Sequence, residues 1–154
     1  MEFGCRATGS ADYTRLVDSL IEAGLTREII GAFYEVYNHL GYGFLEHVYV
    51  HALERELEAR GLRVGREVAV QIYYKGEAVT TQRLDMLVED RVVVELKAGV
   101  KLPEVAKRQV YSYLRATRLE VGLLLHFGPD ARFYRIVKPN SPKRASHSVQ
   151  DSNG

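Results

Sequence analysis

Asp85-Met86-Leu87-Val88-Glu89-Asp90-Arg91-Val92-Val93-Val94-Glu95-Leu96-Lys97 holds two short apolar runs joined by a charged connection, with two carboxylates and a lysine set into them. The run Val92-Val93-Val94, resumed by Leu96, has the continuous apolar character of an interior strand. An ionised Glu95 in such a strand costs several kcal/mol, roughly, unless a cation or hydrogen-bond donors receive it. Glu95 and Lys97 are two apart and share a strand face. The preceding strand, 82–88, carries Asp85, and the connection is short enough for an antiparallel hairpin. A two-residue loop at Glu89-Asp90 sets Asp85 opposite Val94 and aims it away from Glu95, because a slip of one residue reverses every side chain. A three-residue loop of Glu89, Asp90 and Arg91 sets Asp85 opposite Glu95, with facing Cβ atoms about 5 Å apart. The expectation is the second register, with Asp90 or Arg91 in a left-handed or bulge conformation.

Outward from this hairpin, the chain has the size of one domain: 154 residues, 46 % hydrophobic and 27 % charged. With 21 Lys and Arg against 20 Asp and Glu, bulk charge gives no reason for a polyanionic partner, so affinity for nucleic acid must come from a local patch. A single cysteine, Cys5, excludes an internal disulfide and any four-cysteine zinc or iron–sulfur site, and fits a reducing cytosol. No apolar run approaches the ~18 residues of a membrane span, and the first residues lack the layout of a secretion signal. A soluble, cytoplasmic protein is expected. The domain should occupy 12–138, between a disordered stretch at 1–11 and a disordered polar tail at 139–154.

Within the domain, an amphipathic segment runs from Asp12 to Ala23, and a longer one starts at Thr26 with Ile29, Ile30, Phe33, Val36, Tyr37 and Leu40 at helical spacing. Gly41-Tyr42-Gly43 breaks that pattern. A second helix from Phe44 to about Arg60 should bury Leu45, Val48, Tyr49, Ala52, Leu53 and Leu57, with Gly61 as its stop. Glu46 borders that stripe and can reach inward. Alternation from Arg63 to Tyr74, a turn at Lys75-Gly76 and the run into Asp85 make three meandering antiparallel strands with the Glu95 strand. Pro103 opens a third helix with Val105, Ala106, Gln109, Val110, Tyr113 and Leu114 inward. Strands follow at 121–127 and 133–137. A helix crossing between the Glu95 and Val121 strands predicts a parallel pairing in the middle of a mixed sheet, hence an α/β sandwich with helices on both faces.

Gly43-Phe44-Leu45-Glu46-His47-Val48-Tyr49 fits a Gly-x-x-Glu-x-x-Tyr signature, and Arg83-Leu84-Asp85, Glu95-Leu96-Lys97, Gln109 to Tyr113 and His126-Phe127-Gly128 follow it in order. Over roughly 26–137 the chain thus resembles the GxxExxY family, which is placed in the PD-(D/E)XK nuclease superfamily. Leu84 replaces the proline of the superfamily name, and His126 stands where the family usually carries Asn. The resemblance implies a restriction-endonuclease-like core and metal-dependent hydrolysis of phosphodiester bonds, most readily in DNA. Gln109 and Tyr113 also resemble the Gln-x-x-x-Tyr helix of the superfamily's exonuclease branch.

Such hydrolysis needs an aligned water and neutralisation of charge on the phosphate and the leaving oxygen, all of which a divalent ion can serve. Mg²⁺ or Mn²⁺ takes hard oxygen ligands and keeps several waters. Asp85 and Glu95 are the expected direct ligands, with the Leu96 carbonyl a third by resemblance. Lys97 would orient or deprotonate the attacking water, Glu46 would reach the ion directly or through water, and Gln109 with Tyr113 would hold the phosphate or the outer ligands. Each residue also has a plain structural reading: a cross-strand ion pair for Asp85, Glu95 and Lys97, a solvated helix residue for Glu46, and a packed helix face for Gln109 and Tyr113. His47 and His51 share a helix face suited to a transition metal but lack a third ligand in view. Ten tyrosines beside five phenylalanines could stack on bases or serve a homodimer, though most sit at core spacing. Lys101, Lys107, Arg108, Arg115 and Arg118 make the third helix basic and form the candidate phosphate-contacting strip. The competing function is a catalytically silent nucleic-acid-binding or protein-interaction module on the same fold.

Overall fold

The structure, a computed structural model, describes residues 21–140. The expected disordered ends and most of the segment from Asp12 to Ala23 lie outside the described residues. The elements run α1 (Ala23–Leu40), α2 (Glu46–Ala59), β1 (Val64–Tyr74), β2 (Glu77–Val88), β3 (Val92–Ala98), α3 (Ala106–Ala116), β4 (Val121–Phe127) and β5 (Ala131–Val137).

The helical spacing seen in the sequence becomes the buried stripes Leu25, Ile29, Ala32, Phe33, Val36 on α1 and Tyr49, Val50, Leu53, Leu57 on α2. After α2 the chain turns at Gly61 with φ 78°; the Gly61 N–H donates to Glu58 O and the Leu62 N–H to Leu57 O, a glycine-dependent helix stop. Three local expectations need correction. Thr26 does not start α1: the helix begins three residues earlier, and the Thr26 hydroxyl donates back to Glu22 O and Ala23 O, using a helical option open to threonine. Leu45 is exposed rather than inward, because it lies at the extended residue before α2, and Val50 takes the buried place. Val105 is likewise exposed, one residue before α3.

Strand order is β1-β2-β3-β4-β5, and every neighbouring pair is antiparallel except β3 with β4, which are parallel and joined through α3. This is a mixed five-stranded sheet with helices on both faces, consistent with a restriction-endonuclease-like fold. One face carries Met86, Val88, Val92, Val94, Leu96, Leu123, Leu125 and Phe127 against α1 and α2. The other receives α3, which packs Tyr113 and Leu114 on Val70, Leu84 and Val93, and Val110 on Leu124. All seven residues of β4 are buried, as expected of a parallel strand covered on both sides.

The β2–β3 register pairs Met86 with Val94, Leu87 with Val93 and Val88 with Val92 across a connection of Glu89, Asp90 and Arg91. That is the three-residue alternative, and one step further in the same register sets Asp85 against Glu95. The left-handed residues are Glu89 (φ 53°) and Asp90 (φ 54°), so the strain falls on Glu89 where Arg91 was the second candidate. Glu89 is held there by its own contacts: its N–H donates to Arg63 O, and its carboxylate accepts from the Arg63 N–H at 2.7 Å.

Candidate active site

Beyond Met86 the ladder between β2 and β3 stops, while β2 and β1 continue together as a two-stranded ribbon. The place where the strands part is Asp85. Its Oδ2 accepts the Leu96 N–H at 3.0 Å, taking over a backbone donor that a continued ladder would have satisfied. A strand residue directs its N–H and C=O to the same edge, so the Leu96 carbonyl faces this opening as well. In β1 the facing position, Glu67, is a left-handed residue with φ 50°, and the pairing of Glu67 with Asp85 is the one missing from the run between Val64 and Ile72. Leu84 and Met86, two apart on β2, consequently pack into opposite layers.

Glu95 sits on β3 facing the parting and is 4 % exposed. Its Oε1 lies 3.5 Å from Lys97 Nζ, and its Oε2 is buried with no hydrogen-bond partner. Burial, and then the Asp85 carboxylate, push its pKa up from 4.5 to about 7, against the opposing pull of Lys97 and the Asp85 main-chain N–H. Glu46, in the first turn of α2, is half-buried and also shifted upward, first by burial and then by Asp85, with Lys97 and the Ala98 N–H opposing. Tyr49 fixes where that turn begins: its hydroxyl donates to Gly41 O at 2.6 Å and accepts the Phe44 N–H at 3.2 Å, while its ring stacks on Phe127 at 4.2 Å. Tyr49 thus ties down both ends of the 41–44 loop, and Glu46 emerges just past it, in the first turn of α2.

From the opposite layer, Gln109 Nε2 donates to the Tyr113 hydroxyl at 2.7 Å, and that hydroxyl donates to Arg83 O at 3.5 Å. Burial, then the Glu95 charge, raise the Tyr113 pKa, which keeps the phenol a donor. Asp85 therefore lies within electrostatic reach of Glu46, Glu95 and Tyr113, and Lys97 within reach of Glu46 and Glu95, with Gln109 attached through Tyr113. A cleft of about 460 Å³ lined by Leu45, Glu46, His47, Val50, Arg66, Glu67 and Asp85 opens on the α2 side.

Three carboxylates against one lysine, with a buried carboxylate oxygen lacking a donor, form a donor set that fits a hard divalent cation. Among the described residues no three His, Cys, Asp or Glu side chains already form a metal cage. Asp85 Oδ2 accepts from the Leu96 N–H, and Glu95 Oε1 faces Lys97. A cation that keeps its waters needs only one or two of these acids. His51 is exposed and His47 lies at the cleft wall.

Sequence reasoning missed Arg66 and left His126, though named in the motif order, without a role. Arg66 pairs with Glu54 of α2 at 2.7 Å, fixing the outer wall of the cleft; the signal was a charged residue in phase with Val64, Val68 and Val70. His126, buried beside Lys97 in the β3–β4 register, holds Gly99 O from Nε2 at 2.8 Å and so anchors the chain just past Lys97. Gly128 leaves room for its ring, since a Cβ there would lie 2.7 Å from His126 Cε1. The basic residues Lys101, Lys107, Arg108, Arg115 and Arg118 are all exposed, and Lys107 Nζ sits 3.9 Å above the Tyr134 ring. Tyrosine is less internal than its spacing suggested: Tyr49 and Tyr113 are buried, whereas Tyr34, Tyr42, Tyr73, Tyr74 and Tyr111 are exposed.

The family model of the PD-(D/E)XK nuclease superfamily matches residues 23–136. The chain belongs to that superfamily. Among solved structures, one described as "Crystal structure of SSO0001" is similar, with 22 % sequence identity and a TM-score of 0.48; the match covers 62 % of this chain and 52 % of that one, so this chain spans about half its length. No curated protein matches the chain. No helix among the described residues is long and apolar enough to cross a membrane.

Proposed function

We propose that the chain is a divalent-metal-dependent nuclease of the GxxExxY kind, hydrolysing phosphodiester bonds in DNA in the cytoplasm. The observation that carries the reading is the buried, unpartnered Glu95 Oε2 on a carboxylate that interacts with both Asp85 and Lys97. Asp85 and Glu95, with the Leu96 carbonyl and Glu46 on the rim, would hold Mg²⁺ or Mn²⁺. Bound there, such an ion supplies positive charge to the scissile phosphate and acidifies a coordinated water. Lys97 Nζ orients the attacking water beside Glu95 Oε1 and donates to the phosphate. The water oxygen forms the new bond to phosphorus as its proton passes to solvent, the bond to the leaving sugar oxygen breaks, and solvent returns a proton to that oxygen. Gln109 and Tyr113, kept as donors, hold the neighbouring phosphate.

The test is cleavage of end-labelled single- and double-stranded DNA, with RNA alongside, in Mn²⁺, Mg²⁺ or EDTA. Wild type should cut only with metal, and Glu95→Ala or Lys97→Ala should lose about a hundredfold or more. Equal cleavage by wild type and variants would reveal a contaminating enzyme and end the reading. The second reading, a silent binding module, draws on the Asp85 to Leu96 N–H bond and the Glu95 to Lys97 contact, which alone would serve to close a sheet.

A further inference from the structure

Beside α3, on the side away from the α2 cleft, a groove of about 420 Å³ separates the helix from the outer part of the β1–β2 ribbon; Gln71, Tyr73, Gln82, Ser112 and Arg115 line it. None of its lining residues is acidic. Arg115 is exposed and makes no ion pair among the described residues. Tyr73 is 63 % exposed, and its hydroxyl is tied to Gln71 Oε1 at 3.1 Å, which holds the ring without covering it. The inner end of the groove is Gln82, next to the Arg83 carbonyl that accepts from Tyr113. Gln82 precedes Asp85 by three residues, about 10 Å of strand.

We infer that this groove is the track for a single-stranded polynucleotide, a base stacking on Tyr73 and a phosphate meeting Arg115, with the strand running on past Tyr113 toward Asp85. The inference rests on the nuclease reading for what happens at the end of the track, and on the groove alone for the binding. An aromatic ring, a free guanidinium and side-chain amides along a channel without carboxylates are the elements that hold single strands with little regard to sequence. The volume has room for a nucleotide. The nearly neutral chain has no bulk attraction for DNA, so local chemistry of this kind has to select the strand.

Fluorescence anisotropy in EDTA separates binding from cutting. The probes are a labelled oligo-dT, an oligo-U of the same length and a blunt duplex, measured with wild type, Tyr73→Ala, Tyr73→Phe and Arg115→Glu, each checked for wild-type melting. The expected result is single-strand binding weakened roughly tenfold by Tyr73→Ala and by Arg115→Glu and unchanged by Tyr73→Phe, with weaker duplex binding indifferent to all of them. A preference for oligo-dT, for oligo-U or for neither, if abolished by Arg115→Glu, supports the track and names its strand. Wild-type affinity in Tyr73→Ala and Arg115→Glu, equal losses on the duplex, or no binding of any probe overturns it. Should the strand bind through Tyr73 and Arg115 yet never be cut with Mn²⁺, the nuclease reading falls and the track stands. Should Mn²⁺ support cutting that neither groove variant alters, the track falls alone.

Discussion

Glu95 is an acid whose folded pKa, about 7, lies above its ordinary 4.5. Between those values the folded chain holds a proton that the unfolded chain has released, so this group's contribution to stability is full below the lower value and is lost as pH rises to the upper one. The span corresponds to roughly 3 kcal/mol, and Glu46 is shifted in the same direction. Metal-free protein should therefore melt at a higher temperature at about pH 5 than at about pH 8, with Glu95→Gln flattening the fall and gaining several degrees at the upper pH. Lys97, already 23 % exposed, can turn to water when its partner is neutralised. Mn²⁺ should stabilise the wild type at the upper pH and leave the variant unmoved. If Glu95→Gln instead lowers the melting temperature in EDTA, the carboxylate is a structural partner of Lys97 and not a cation ligand. The acids were legible at this scale because a charge in an apolar strand needs a partner. The orphaned Oε2 was not, since it depends on which oxygen Lys97 takes.

At the scale of elements, the site depends on how closely α3 lies on the sheet. Gly122 of β4 has no side chain where Val110 of α3 packs: a Cβ there would come within 2.4 Å of Val110 Cγ1, and valine cannot swing that methyl aside as a longer side chain could. Gly122→Ala should cost about 1–3 kcal/mol by overpacking, read as a lower denaturation midpoint. It should also weaken cleavage, because lifting α3 withdraws Tyr113 from Arg83. Adding Val110→Ala makes room for the new methyl, so the double variant should be more stable than the sum of the two single losses, a coupling a thermodynamic cycle measures. Additive losses would mean that α3 already stands clear of β4. The helix itself could be read from Val110, Tyr113 and Leu114 at one-turn spacing. Its start was read too early because Pro103 and Val105 fit a first turn in composition, while the chain makes a separate turn there, with the Ala106 N–H on Pro103 O.

Over the whole molecule, strand order was legible because few topologies connect a meander, a crossover helix and a final hairpin without a left-handed link. The parting of β2 from β3 at Asp85 was not, because it requires a left-handed Glu67 opposite a carboxylate that displaces a ladder bond, and neither leaves a mark in hydrophobic pattern. That parting divides the molecule into a buried sheet and a projecting ribbon. In β2, Glu77 to Arg83 is exposed throughout and pairs only with β1, whereas β3 is buried from Val92 to Leu96 and β4 along its length. A two-stranded ribbon is marginal in water without a layer over it, and the α3 layer reaches its inner part, through Val68, Val70, Ile72 and Leu84. Native-state hydrogen exchange should therefore find β3 and β4 amides opening only with global unfolding, and amides at 72–82 exchanging at least a hundredfold faster. Saturating oligo-dT should slow those outer amides and leave β4 unchanged, since the strand would lie against Tyr73 and Gln82 and not against the core. Outer-ribbon amides as protected as β4 in the free protein would mean that the ribbon is held by contacts beyond those to α3, and a strand would then meet a wall already closed.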